Sequence, residues 1–247
     1  MSGSVAFRKC ETLDEFHRCV ELQRAIWGEA DLEVEPPTMF MVASRTGGQV
    51  LGAFDGEKLV GYTLAVVGWR DGTPFLHSHM TGVDAAYRSR GVGHRLKLFQ
   101  REDALLRGIR LIEWTFDPFE VGNAYFNFHR LGAICRRYLP NAYGITTSPL
   151  HRGLATDRLV AEWHLDSART IAAIQNLAKD PMDMPATIHL PPNFQQWLQE
   201  KDTRKLQQLQ SRIGAEFTNW FAKGYAVIGV RSDSGGSSYL LAPWSDF

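Results

Sequence analysis

The sequence predicts a mixed α/β fold (α+β type) with a mostly antiparallel central sheet flanked by helices. Short apolar segments of strand character alternate with amphipathic segments of helical character over the first two thirds of the chain. Two pairs of strand segments are joined by short turns that contain glycine, which is typical of antiparallel hairpins. The chain of 247 residues, 44% of them hydrophobic, is long enough to bury a core without disulfides or metal.

A capped helix follows the first strand segment. Residues 5–10, VAFRKC, have the composition of a short strand. Thr12 is the predicted N-cap of the next segment, Glu15 completes a capping box, and Gly28 is its predicted end. Residues 36–48 begin with two prolines and end with two glycines, so they are predicted to form a second helix.

An antiparallel hairpin, a further strand and a third helix come next. Two apolar segments flank Asp55-Gly56, which predicts a tight hairpin turn. Residues 74–81, PFLHSHMT, are predicted to be a strand, and residues 91–107 an amphipathic helix. The apolar residues expected near the buried face of this helix are Leu96, Phe99 and Leu106.

The next strand has two chemically different faces. Within residues 109–118, Ile112, Trp114 and Phe116 share one side of the strand. Glu113 and Thr115 share the other side, which is polar. A short helix that ends at Gly132 and another strand are predicted to follow.

The last third of the chain is predicted to be a C-terminal α/β extension. We expect two domains, residues 1–165 and 166–247, and we expect the extension to pack on the first domain or to form a homodimer. Prolines between 181 and 192 predict a loop, residues 193–223 a long helix, and the chain end a hairpin. The helix residues expected to serve core packing are Phe194, Trp197, Leu198, Leu206, Leu209, Ile213, Phe217 and Trp220.

Composition excludes several functional classes. Basic and acidic residues number 27 each, and a zero net charge argues against a nucleic-acid-binding protein. Cys10, Cys19 and Cys135 fit neither a disulfide framework nor paired metal spacing, so we expect buried, reduced thiols. No apolar segment approaches the ~20 residues of a membrane span, and the N-terminus lacks a signal-peptide pattern. We therefore expect a cytoplasmic protein with neither a membrane nor a nucleic-acid partner.

Residues 82–96, GVDAAYRSRGVGHRL, place a glycine-rich turn between a strand and a helix. Free backbone N–H groups and the helix dipole converge at such a junction, which favours an anion. The arginines clustered here are Arg88, Arg90, Arg95 and Arg101. The spacing fits neither a dinucleotide-binding nor a P-loop motif, and the alternative is a turn that binds nothing.

The six residues Arg88-Ser89-Arg90-Gly91-Val92-Gly93 resemble the Arg/Gln-x-x-Gly-x-Gly/Ala signature of the GNAT superfamily of acyl-CoA-dependent N-acetyltransferases. The resemblance covers about residues 5–140, and the full layout is similar to a subgroup with a C-terminal extension. It implies a GNAT-like sheet and identifies the anion as the pyrophosphate of coenzyme A. The residues implied in cofactor binding are Thr81, Gly82, Val83, Arg88, Ser89, Arg90, Gly91, Val92, Gly93, Asn123 and Phe126.

The same resemblance implies where the rest of the cofactor lies. In the family, the strand that ends near Val83 splays from the strand at 111–117, and the pantetheine arm occupies the gap. A backbone N–H at Met80 to Val83 then polarises the thioester carbonyl.

A second family motif, an Asn before a helix that ends in Tyr-x-x-x-Gly-Phe, is only partly matched by residues 123–133. Phe128 stands where many members have the tyrosine that protonates the leaving thiolate. Tyr125, His129 or water are the alternatives for this general acid. Phe126 and Phe128 are expected to be core or cofactor-packing aromatics.

Acetyl transfer to an amine requires a base that leaves the amine neutral. His77 and His79 share one strand face, and an imidazole titrates near neutral pH. We expect His79 and Glu113 to be catalytic together with Tyr125, the alternative being hydrogen bonding at the sheet surface. No Cys or further His pair completes a ligand set with the two histidines, so no metal is expected.

The expected function is transfer of an acetyl group from acetyl-CoA, as co-substrate, to the amine of a small-molecule acceptor by direct attack in a ternary complex. Two alternatives stay open. One is a catalytically silent module that binds CoA or acyl-CoA, and the other is acetylation of a protein amine. Thioester turnover with a panel of amines distinguishes them.

Overall fold

The computed structural model describes residues 5–28, 34–144, 154–177, 184 and 186–244. The chain forms two compact units, residues 1–113 and 114–247, and the boundary between them falls inside the strand Leu111–Phe116. The strands pair mostly antiparallel and helices accompany them, which confirms the predicted fold class. The predicted functional boundary after residue 165 stays a prediction, because a packing unit need not coincide with a functional domain.

The described residues of the first unit form four complete strands, the first half of a fifth and three α-helices. Its sheet order is β1-β2-β3-β4-β5, antiparallel except for the parallel pair β4–β5. The elements are β1 (Ala6–Lys9), α1 (Leu13–Trp27), α2 (Pro37–Arg45), β2 (Gln49–Asp55), β3 (Lys58–Arg70), β4 (Thr73–Val83), α3 (Val92–Leu106) and the first half of β5 (Leu111–Phe116).

Local signals in the sequence placed the boundaries of these elements well. Thr12 and Glu15 form the predicted capping box at the start of α1. Gly28 ends α1 in the left-handed region with φ of 62°, where glycine is favoured. The turn between β2 and β3 contains Gly56, with φ of 60°. These predictions are confirmed because caps and tight turns depend on a few neighbouring residues only.

Two apolar clusters of described residues contribute to the core of the first unit. The larger joins α1 and α2 to the sheet and includes Phe16, Cys19, Phe40 and Tyr62. The smaller joins α3 to β2 and β3. Cys10, Cys19 and, in the second unit, Cys135 are buried free thiols, as predicted.

The predicted buried face of α3 is wrong at Leu106, which is 89% exposed. Polar side chains are buried there instead. The ammonium group of Lys97 donates to Ser78 Oγ and to Gln100 Oε1, both at 2.9 Å, and Gln49 Nε2 donates to Asp103 Oδ2 at 2.8 Å. Burial lowers the pKa of Lys97 to about 7. The prediction from hydropathy is wrong here because hydrogen bonds satisfy the buried donor groups of Lys97 and Gln49.

The second unit has the sheet order β7-β6-β9-β10-β8. Its elements are the second half of β5, α4 (Val121–Tyr125), the π-turn Phe126–Arg130, β6 (Ile134–Leu139), β7 (Arg158–His164), α5 (Ala168–Ile174), β8 (Ala186–Leu190), α6 (Phe194–Glu200), α7 (Thr203–Ala222), β9 (Tyr225–Asp233) and β10 (Gly236–Pro243). The terminal hairpin β9–β10 is confirmed.

Two predictions for the second unit are wrong. The long helix of 193–223 is divided into α6 and α7, because Lys201 adopts a left-handed φ of 55° and Asp202 caps the second helix through Lys205 N. The predicted loop contains β8, whose residues alternate between buried and exposed and pair with β10. Pro181 and Pro185, on which the loop was predicted, lie outside the described residues.

Five of the eight residues predicted for the core face of α6 and α7 are buried, whereas Trp197, Leu198 and Trp220 are only half-buried. Phe194, Leu206, Ile213 and Phe217 are each at most 2% exposed. Within the described part of the chain, no helix has the length and apolarity needed to cross a membrane.

Candidate active site

A glycine turn joins the end of β4 to the start of α3. Ser89 and Gly91 both adopt left-handed backbone conformations, with φ of 60° and 76°, and Gly91 is the N-cap of the helix. A Cβ added at Gly91 would meet no atom within 4 Å, so the space beside it is open. The predicted order of strand, turn and helix is confirmed at this segment.

Side chains from the β2–β3 hairpin support this turn. Lys58 Nζ contacts Asp84 Oδ2 at 2.9 Å, and Asp84 Oδ1 accepts from Ala86 N. The hydroxyl of Tyr87 donates to Asp55 Oδ2 at 2.7 Å. The turn is therefore held by several hydrogen bonds outside its own glycines. Nothing in the local sequence pattern had indicated this support.

Positive charge and unpaired amides converge at the turn. Arg88 donates from Nε to Val83 O at 3.2 Å, and the guanidinium of Arg90 lies 5.3 Å from the Tyr87 ring centre. Both arginines are exposed. Because α3 begins at Val92, its first amides have no acceptor within the helix. These residues fit a phosphate-bearing ligand.

One edge of β4 is largely unpaired within the first unit. β4 pairs with β3 along its length, but its parallel pairing with β5 is limited to Leu76 with Ile112 and His77 with Glu113. Among the described residues, the stretch of this edge from 78 to 83 has no other recorded strand partner. Backbone groups in this stretch, which includes the predicted Thr81 and Val83, are thus available to an extended ligand.

Gly82 has a packing role in addition to its predicted place at the cofactor. A Cβ at this position would lie 2.7 Å from Ile26 Cδ1 and 2.9 Å from Trp27 Cη2. A side chain would therefore push α1 away from the end of β4. The hydroxyl of the preceding Thr81 lies 3.0 Å from that of Thr63.

His77 and His79 lie on the same face of β4, as predicted, with ring centres 6.2 Å apart. A bulge at His79 interrupts the register, since Ala65 pairs with Ser78 and Leu64 with Met80. His79 Nε2 lies 2.8 Å from Glu35 Oε1. A carboxylate in this position orients an imidazole. The sequence analysis missed Glu35, because no pattern links residues 44 positions apart.

Glu113 does not lie on an exposed polar face, because it is only 2% exposed. Both of its oxygens accept from Arg70, at 2.5 Å from Nη1 and 2.8 Å from Nη2. Two parallel hydrogen bonds from one guanidinium group stabilise the ionised form of the carboxylate. Arg70 was also missed by the sequence analysis. Of the two predicted residues, His79 has the more accessible side chain.

The candidates of the second unit lie around the π-turn, a feature that is frequent at functional sites. Tyr125 is 52% exposed, and its ring stacks on His129 with centres 4.5 Å apart. Phe128 is 1% exposed and packs against Phe116 and Tyr239. Phe128 is thus a core residue. Asn123 is exposed, while Phe126 is half-buried.

No metal ligand set is found among the described residues. No group of three or more His, Cys, Asp or Glu side chains is placed to hold an ion there.

Residues 16–132 match the model of the acetyltransferase (GNAT) family. The resemblance to the GNAT family is thus confirmed over residues 16–132, a segment slightly shorter than half of the chain. The matched segment extends beyond the first packing unit into the second.

Solved structures share this fold at low sequence identity. The ribosomal-protein-S18-alanine N-acetyltransferase from Escherichia coli is 12% identical, with a TM-score of 0.53 over 67% of this chain and 96% of that one. Arabidopsis thaliana NAA60, solved with acetyl-CoA, is 15% identical, with a TM-score of 0.53 over 65% and 99%. yncA from Salmonella typhimurium, solved with its cofactor acetyl-CoA, is 18% identical, with a TM-score of 0.52 over 67% and 96%. No curated protein sequence matches the chain.

Proposed function

We propose that this protein transfers an acetyl group from acetyl-CoA to the amine of a small-molecule acceptor, by direct attack of the amine in a ternary complex. The observation that carries the proposal is the open glycine turn at the start of α3, inside a segment that matches the GNAT family. Acetyl-CoA supplies the activated acyl group. Two related folds are solved with that molecule.

The residues of the first unit suit the phosphates and the pantetheine arm of this co-substrate. Amides at the first turn of α3 and the exposed Arg88 and Arg90 bind oxyanions. The unpaired edge of β4, from Ser78 to Val83, offers N–H and C=O groups to an extended arm. A backbone N–H on this edge polarises a thioester carbonyl, as an oxyanion hole does.

His79 is the base in this proposal, and Glu35 orients it. The imidazole is exposed, and one ring nitrogen lies 2.8 Å from the Glu35 carboxylate. The other ring nitrogen then takes a proton from the acceptor amine, directly or through water. Glu113 holds Arg70 through two short hydrogen bonds and serves to fix that guanidinium rather than to take up a proton.

We expect His79→Ala to lower kcat by roughly 100-fold or more while the Kd for acetyl-CoA stays within about twofold of wild type. Glu35→Gln keeps a hydrogen-bonding side chain but removes its charge, and it should reduce kcat less. The exposed His189, which contacts Ser238, provides the matched control His189→Ala. Steady-state kinetics and calorimetry measure both effects. Unchanged kcat in His79→Ala would exclude His79 as the base.

Tyr125 is the proposed general acid for the leaving thiolate. Tyr125→Phe keeps the ring that stacks on His129 but removes the hydroxyl, so we expect kcat to fall by roughly 100-fold. Tyr225→Phe is the control, since Tyr225 also packs against an aromatic ring, that of Trp220. A kcat equal to wild type would assign protonation to His129 or to water.

Release of CoA thiol in the presence of a panel of amines tests the function as a whole. Turnover of small amines supports the proposal, and turnover only of peptides points to a protein acceptor. Acetyl-CoA binding without any turnover would favour the silent module. That alternative stays open because a buried phenylalanine, Phe128, stands at the usual position of the tyrosine.

A further inference from the structure

A cleft of about 690 Å³ lies in the second unit, between α7 and one end of the β6–β7 strand pair. Tyr138 belongs to β6, and Asp157 directly precedes β7. The antiparallel pairing of Leu139 with Arg158 brings these two segments side by side. The volume falls within the range of pockets that bind small molecules, about 300–1,000 Å³.

Small residues form much of the α7 side of the cleft, among them Gly214, Ala215 and Ala222. A Cβ at Gly214 would lie 2.8 Å from the hydroxyl oxygen of Tyr138 and 3.0 Å from two of its ring carbons. Even an alanine would therefore displace Tyr138. Glycine costs a helix interior about 1 kcal/mol relative to alanine. Here it lets the Tyr138 ring stack on that of Phe217, with centres 5.6 Å apart.

The carboxylate of Asp157 supplies the negative charge of this cleft. Among the described residues that line the cleft, no other side chain is charged. Asp157 is 8% exposed. Its Oδ1 accepts from Asn141 N at 2.8 Å, and its Oδ2 accepts from the Tyr138 hydroxyl. Burial and the neighbouring Asp157 raise the pKa of Tyr138 well above its usual value, so both donors are neutral.

The cleft retains acceptors for a cationic ligand. A carboxylate offers about four lone-pair positions, and the two hydrogen bonds of Asp157 use two of them. Within the described part of the chain, Asp157 forms no ion pair with a lysine, arginine or histidine. Gln210, which is 9% exposed, donates from Nε2 to Ala155 O at 2.8 Å, and its Oε1 has no recorded donor among the described residues.

We propose that this cleft binds the ammonium group of a small organic amine. An ammonium group has N–H donors and no acceptor, which suits Asp157 and Gln210 Oε1. Its hydrogen bond to a carboxylate is roughly twice as strong as one between neutral groups. Ala155, Ala215 and Ala222 offer apolar surface to the carbon skeleton of the ligand.

The charge of the ligand separates this role from acetyl transfer. A carboxylate stabilises the protonated form of an amine, and that form has no lone pair for attack on an acyl group. The cleft is therefore a binding site for the cation, and the proposal does not rest on the transfer reaction.

The first test compares amines with uncharged molecules of nearly the same shape. Calorimetric titrations of the full chain at neutral pH, without acetyl-CoA, use benzylamine against benzyl alcohol and n-hexylamine against n-hexanol. We expect the Kd of each amine to be lower than that of its alcohol by about tenfold or more. Equal affinities within both pairs, or no binding of either amine at millimolar concentration, would overturn the proposal. Because no turnover is measured, failure here is distinct from failure of acetyl transfer.

Removal of the charge then locates the binding. Asp157→Asn keeps the size of the side chain but not its charge, and we expect it to abolish the preference for amines over alcohols. Asp202→Asn is the matched control in the same unit, because asparagine caps a helix as well as aspartate does. Binding of both amines to Asp157→Asn with wild-type affinity would exclude this cleft as the site.

A second pair of variants tests the cleft without altering its hydrogen bonds. Ala215 is exposed on α7, so Ala215→Leu fills the cleft while the helix is retained. We expect it to weaken amine binding by about tenfold or more. Gln208→Leu is the control, since it places the same side chain on an exposed position of α7 that does not line the cleft. Equal affinities of the two leucine variants would contradict the proposal.

Discussion

Gly91→Trp is expected to weaken acetyl-CoA binding by at least 100-fold, which corresponds to about 2.7 kcal/mol. The space beside Gly91 is open in the protein, so the indole has room in the absence of a ligand. That space adjoins the first amides of α3, where a phosphate would approach. The indole therefore competes with the co-substrate, and its cost to the fold is limited to the backbone strain of a side chain at a positive φ. Calorimetric titration with acetyl-CoA and with CoA measures the change.

Gly108→Trp is the matched control at the other end of α3. Gly108 has φ of 77°, close to the 76° of Gly91, and a Cβ there also meets nothing within 4 Å. Both variants thus carry a similar backbone strain of about 1–3 kcal/mol. We expect Gly108→Trp to bind acetyl-CoA like the wild type. Equal affinities of the two variants would mean that the cofactor site has been assigned to the wrong segment.

Lys97→Met is expected to remove a pH dependence of stability. The pKa of Lys97 is lowered to about 7 in the folded protein by burial, whereas an unfolded lysine titrates near 10.4. Between these values the unfolded chain binds more protons, so the contribution of Lys97 makes the folded state more stable as pH rises. Well below pH 7 both states bind the proton, and this contribution is constant.

From pH 7 to 9, the free energy of unfolding of wild type minus that of Lys97→Met should therefore rise by roughly 2–3 kcal/mol. Urea titrations at pH 7, 8 and 9 measure this difference. Taking the difference cancels the pH-dependent contributions of groups that both proteins share, such as the buried thiols. Lys205→Met, on the exposed side of α7, should show the same pH dependence as wild type. A constant difference for Lys97→Met would mean that Lys97 stays charged in the folded protein.

The parts of the fold that could be predicted are those with local causes. The capping box of Thr12 and Glu15 and the turn at Gly56 involve residues close in sequence, so their patterns are visible without a structure. The break at Lys201 was missed because a lysine in the left-handed region has no sequence signature. β8 was missed because its five residues gain their pairing from β10, some fifty positions later.

The candidate site likewise has one part that the local sequence predicts and another that depends on tertiary contacts. The turn from Arg88 to Gly93 is a contiguous motif whose backbone supplies the chemistry, so the sequence was sufficient to find it. The partners of His79 and Glu113 lie 44 and 43 residues away, and only tertiary packing brings them together. Hydropathy also misplaced Glu113, because a fully paired carboxylate can be buried in a strand.

The polar face of α3 also restricts the rotation of the helix about its own axis. Apolar side chains tolerate small rotations, since their attraction is non-directional. The hydrogen bonds of Lys97 and Gln49 are directional, and a rotation by one residue, about 100°, would break all of them at once. This network selects a single rotational setting of α3 and so fixes the direction in which the amides next to Gly91 point.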